Sequence, residues 1–107
     1  LFLTFSCAHA PDSLTPEEAR ENLIRRYTDY CKKKSGYIRM QFDKQGTLDE
    51  DSIEVLKDSE AECIVEMTTL VEEIPDSDIL EELEAWDQAE KEIWEADKAL
   101  LDAQLGV

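Results

Sequence analysis

The sequence predicts an all-α protein, an antiparallel three-helix bundle running up-down-up, with helices over about residues 16–43, 49–74 and 77–105. Two observations predict it: three apolar stripes at three- and four-residue spacing, and two short turn signals that divide them into similar lengths. A third supports them. The one alternation suited to a strand, Ile38, Met40 and Phe42, has no second strand to pair with. A coiled-coil hairpin that dimerises is the rival arrangement, because the third stripe is narrow and rich in alanine.

The first helix opens at Thr15-Pro16-Glu17-Glu18. Thr15 suits the cap, Pro16 the first helical position, and Glu18 the return bond of a capping box. Leu23, Ile24, Tyr27, Cys31, Ile38 and Phe42 follow at helical spacing, and Ser35-Gly36 marks a point where the helix could kink or split. Gly46 suits the left-handed position that ends a helix, and Thr47 or Asp49 is placed to cap the next. Ile53, Leu56, Cys63, Ile64, Met67, Leu70, Val71 and Ile74 form the second stripe, which Pro75 stops. Asp76, Ser77 and Asp78 offer the third cap. The third stripe is Ile79, Leu80, Leu83, Trp86, Ala89, Ile93, Ala96, Leu100 and Ala103, with Gly106 behind it.

Cys31 and Cys63 are equidistant from residue 47 and both lie on apolar stripes, so an antiparallel hairpin sets them opposite one another. Geometry leaves two outcomes open, a disulfide or two packed thiols. The opening LFLTFSCAHA bears on the choice. Residues 1–10 read as the end of a secretory signal peptide, with small residues at Ser6, Ala8 and Ala10, and residues 11–107 as one helical domain. The alternative is an apolar strap over the bundle. Loss of Cys7 with a signal leaves an even pair in an oxidising compartment, which favours the bridge.

The 107 residues carry 11 Lys and Arg against 27 Asp and Glu, a formal charge of −16. Nucleic-acid backbones and anionic membranes are repelled by that balance, which leaves basic proteins, cations and neutral small molecules; the expected partner is a basic protein or a small hydrophobic ligand. Eight of the basic residues lie between Arg20 and Lys44, which makes the first helix basic beside two acidic ones. No segment approaches the about 20 apolar residues of a membrane helix.

Cys31 in DYCKKKSG and Cys63 in AECIVEM give residues 15–67 a pattern that resembles insect odorant-binding proteins. In that family an early helix ends in a cysteine followed by basic residues and Thr/Ser-Gly, and a later helix carries Cys-x-x-x-Cys. Met67 stands where the family's third cysteine belongs, and no cysteine follows it. The family's first cysteine pairs with its third, so a 31–63 bridge would be a different connection. The resemblance implies a secreted carrier of small hydrophobic molecules.

Sites of chemistry are sparse. FDKQGTLDEDSIE sets Asp43, Gln45, Thr47, Asp51 and Glu54 at the oxygen positions of a calcium loop, but Leu48 and Glu50 occupy the places that need glycine and an aliphatic residue. A glycine turn and a new cap account for the same residues. The acidic pairs Glu62/Glu66 and Glu81/Glu84 lack the Glu-x-x-His of a di-iron bundle, and the only histidine is His9. Cys31 beside three lysines lacks a partner base. No catalytic residue, metal ligand or cofactor is therefore assigned. Tyr27, Met67, Trp86 and Trp94 remain as candidates for a ligand or partner groove, since aromatics dominate interface energetics.

The expectation is a small, secreted, acidic helical binding protein without enzymatic activity. Its alternatives are a carrier of apolar ligands and an intracellular coiled-coil scaffold, with a homodimer possible through the third stripe.

Overall fold

The computed structural model describes residues 14–107, and the signal-peptide reading of residues 1–10 lies outside them. The three predicted helices are present as α1 (Pro16–Gln45), α2 (Glu50–Glu73) and α3 (Ile79–Leu105), and the described residues include no strand.

α1 begins with the expected capping box. The Glu18 N–H donates to Thr15 Oγ1 at 3.1 Å, and the Thr15 N–H donates to Glu18 Oε1 at 3.0 Å. That second bond holds the Glu18 carboxyl below its usual range. The helix runs unbroken through Ser35-Gly36, so neither a split nor a short strand forms there. It ends at Gly46, whose φ of 75° is the left-handed conformation that glycine adopts without steric cost. The Thr47 N–H then reaches back to Phe42 O at 2.9 Å, closing the last turn.

Of the two cap candidates for α2, Asp49 serves, accepting from the Ser52 N–H at 2.8 Å. Thr47 turns its hydroxyl back to Phe42 O instead. The third cap departs from expectation. Asp78 occupies the cap position with a helical backbone (φ −110°, ψ −12°) and makes no side-chain cap bond, so α3 starts two residues later than predicted. A side-chain cap needs an extended backbone, and the turn from Pro75 to Asp78 does not supply one.

α1 lies between the other two helices and packs against both, whereas α2 and α3 make little contact with each other. Charge explains the order. α1 carries eight basic residues against five acidic; α2 carries one against nine, and α3 two against nine. Direct packing of α2 on α3 would bring two strongly acidic helices to about 8–10 Å between axes. That is comparable with the screening length of about 8 Å at physiological salt. The result is a slender molecule, 61 × 23 × 17 Å.

The core gathers at the end where α2 turns into α3. Ala19 and Leu23 of α1, Val71 of α2, and Ile79, Leu83 and Trp86 of α3 are buried there, with Tyr30 beneath them. Arg20 ties this corner. Its guanidinium donates to Val71 O, to Ile74 O at 2.8 Å and to Asp76 at 2.7 Å, adding a second donor to the Val71 carbonyl that the Ile74 N–H already reaches and pairing the carbonyl of the cap residue Ile74. Arg26 pairs with Asp87 across the α1–α3 seam.

Away from the corner, the third stripe behaves differently from its prediction. Past Trp86 the covered face of α3 passes to Trp94, Asp97 and Leu101, and Ile93, Ala96, Leu100 and Ala103 are exposed. α3 turns this face inward because α1 offers it tyrosines rather than an aliphatic stripe.

Cys31 and Cys63 form a disulfide, with Cα atoms 5.9 Å apart, on the two sides of the Gly46–Thr47 turn. It closes a loop with a sequence separation of 32 residues. Reduction is expected to lower stability by about 3–4 kcal/mol in the chain-entropy picture, seen as a lower urea midpoint for the reduced protein. Equal midpoints would contradict this. Arg20→Ala is expected to cost about 2 kcal/mol by leaving the Ile74 carbonyl unpaired and removing the tie to Asp76, and Arg20→Lys should recover little, because one ammonium cannot span three acceptors.

Candidate functional site: a groove between α2 and α3

Because α2 and α3 both lean on α1 without closing on each other, a groove remains between them, with α1 as its floor. Its volume is ≈ 450 Å³. On α2 its wall is Cys63, Met67, Leu70 and Ile74, successive positions four, three and four residues apart on one helix face. On α3 the wall is Glu82, Trp86, Ile93 and Asp97, and the floor is Tyr27 and Tyr30, with Lys34 farther along α1. Leu70 is 55 % exposed and Ile93 37 %, so the apolar walls face water. A smaller cavity of ≈ 100 Å³ lies beside the disulfide, near Ile38 and Leu56.

The floor is held rigid by an aromatic row. Trp86 meets Tyr27 edge to face at 4.7 Å and Tyr30 at 5.3 Å between ring centroids. Trp94 meets Tyr30 at 6.0 Å and Tyr37 at 5.7 Å in the same manner. Such pairs contribute about 0.5–1.5 kcal/mol each beyond their buried area. Two hydroxyls fasten the row to α3: Tyr30 donates to Asp97 and Tyr37 to Asp102. Lys33 lies over the Trp94 ring at 4.6 Å and Lys98 over Tyr37 at 5.7 Å, cations above aromatic faces. The indole Nε1 of Trp86 is buried and donates no hydrogen bond within the described residues.

Of the four groove candidates read from the sequence, Tyr27, Met67 and Trp86 line this groove together. Trp94 does not line it and sits between Tyr30 and Tyr37 under Lys33. Tyr30, Tyr37, Asp97 and Asp102 were not singled out in the sequence. Their signal was present: Tyr27, Tyr30, Lys34, Tyr37 and the buried Gln41 recur at gaps of three and four, a second stripe on α1 for a second partner helix.

Within the stretch that carries the calcium-loop pattern, Gly46 ends α1 and Asp49 caps α2, the glycine turn and new cap expected there. Among the described residues, no group of three or more His, Cys, Asp and Glu is placed to hold a metal ion. Nor is any described helix long and apolar enough to cross a membrane. In comparisons with known proteins, no family model, no curated protein and no solved structure matches the chain.

Burial raises the pKa of Tyr27, with the Glu82 carboxylate adding to it, and burial followed by the Asp97 bond raises that of Tyr30 further. For Tyr37 the Asp102 bond is the main cause of the rise. The unfolded chain therefore releases these protons first, near pH 10. Stability from the tyrosines is fully present below about pH 10 and is lost as pH climbs toward the raised folded values. Tyrosinate absorption is expected to lag behind that of the urea-unfolded chain in an alkaline titration. Tyr30→Phe should leave two lagging tyrosines and weaken the α1–α3 contact; superposable folded and unfolded titrations would contradict the buried row.

Proposed function

We propose that this chain is a secreted, disulfide-stapled binding protein that performs no chemistry and uses the α2–α3 groove as its working surface. The carrying observation is the groove itself: apolar walls on two helices left open to water over a rigid aromatic floor. Solvent-facing apolar surface of this kind is costly to a free protein and marks a place where something apolar docks. The bridge between Cys31 and Cys63 supports an oxidising setting, and it speaks against the reading as an intracellular scaffold with free thiols.

A second reading, a carrier of small hydrophobic molecules like the odorant-binding family, is favoured by the groove volume. At ≈ 450 Å³ it lies within the range of about 300–1,000 Å³ typical of small-molecule sites.

Titration with an environment-sensitive apolar fluorophore tests the working surface. Emission is expected to rise on binding, and Ile93→Glu should weaken binding about tenfold or more by setting a charge in the apolar wall. A folded wild-type protein that leaves the fluorophore dark would remove the groove from consideration.

A further inference from the structure

We infer that the occupant of this groove is an amphipathic helix with lysine or arginine flanks, docking as a fourth helix against α2 and α3. The inference rests on the reading of the groove as the working surface. It starts from the shape of what is left uncovered. The α2 wall repeats at heptad-like spacing through Cys63, Met67, Leu70 and Ile74, along about 16 Å of helix. On α3 the exposed positions Ile93, Ala96, Leu100 and Ala103 continue the apolar path well past the groove's deepest part. Leu100 is 62 % exposed. A small molecule seated near Trp86 would leave this extension bare. A helix lying lengthwise covers it, and the small alanines permit its backbone to approach closely.

Charge selects the kind of helix. Glu66 and Glu73 adjoin Met67 and Ile74 on α2, Glu82 lines the groove on α3, and Glu92 adjoins Ile93. All four are exposed, and none forms an ion pair among the described residues, where Arg20–Asp76 and Arg26–Asp87 are the pairs formed. Flanking carboxylates on both walls attract a cationic helix and repel an acidic one. A second copy of this chain presents two acidic helices and a net charge of −16, so its α2 or α3 would enter the groove against like charge.

The test uses the oxidised protein and a synthetic peptide of about 18 residues, long enough to lie along the groove as five turns of helix. Leucine stands at its heptad core positions and lysine elsewhere. Binding is followed by peptide fluorescence anisotropy. A scrambled peptide of the same composition is expected to bind at least about tenfold more weakly, as is a version with glutamate for lysine. Leu70→Glu on the protein separates docking from mere attraction to an acidic surface. The substitution adds negative charge, so non-specific attachment of the cationic peptide should strengthen, whereas groove docking should weaken by about tenfold or more. Leu70 is exposed, so the variant keeps its helices, which circular dichroism verifies.

Equal affinity for the scrambled peptide, or tighter binding to Leu70→Glu, would overturn the inference. A fluorophore that binds and is not displaced by the peptide would overturn it too while leaving the groove as a small-ligand site. Failure of both peptide and fluorophore would remove the groove reading itself. A dimer in sedimentation that Leu70→Glu dissociates would assign the groove to a second copy instead.

Discussion

The rest of this structure depends on one constraint, that two acidic helices must share a single basic one. α2 and α3 each carry nine carboxylates, and α1 carries the chain's concentration of lysine and arginine. Isolated surface ion pairs contribute little, about 0–1 kcal/mol each. The distribution matters more than any pair. It makes α1 the favourable neighbour for both flanking helices and makes those helices poor neighbours for each other, so the bundle is open on one side. Arg20 is the point where this order becomes specific, because one guanidinium of α1 engages the end of α2 and the start of the turn toward α3.

The two seams that α1 makes are chemically unlike. Toward α2 it is aliphatic and covalently stapled through Cys31 and Cys63. Toward α3 it is aromatic, with tyrosine edges against tryptophan faces and hydroxyls bonded to carboxylates. Three of the nine acids of α3 are thereby put to use: Asp97 and Asp102 accept from tyrosines, and Asp87 meets Arg26. A seam built this way presents side chains that are apolar in body and polar at the tip. It forms a groove floor that holds its shape although α2 and α3 do not close over it.

Much of the fold was legible in the residues. Thr15, Pro16 and Glu18 mark the first helix start, Gly46 its end, and Cys31 and Cys63 their own proximity, because each of these acts over one turn or one hairpin. Less of the groove was legible. Tyr27, Met67 and Trp86 could be named as candidates from type and spacing, yet Trp94 has the same credentials and lies elsewhere, turned toward α1 between two tyrosines. Spacing places a residue on a face without saying which neighbour that face meets.

By itself the sequence determined the helices, their order, the hairpin register and the segregation of charge, since caps, glycine turns, stripes and cysteine positions are local facts. Only the tertiary structure decided which face of α3 meets α1 past Trp86, covering Trp94, Asp97 and Leu101 and leaving Ile93 and Leu100 in water. The apolar stripe and the tyrosine-matched face compete for one position against α1. That competition is settled by which side chains stand across the seam, here Tyr30 and Tyr37 with carboxylates opposite them, and no pattern along α3 alone contains that information.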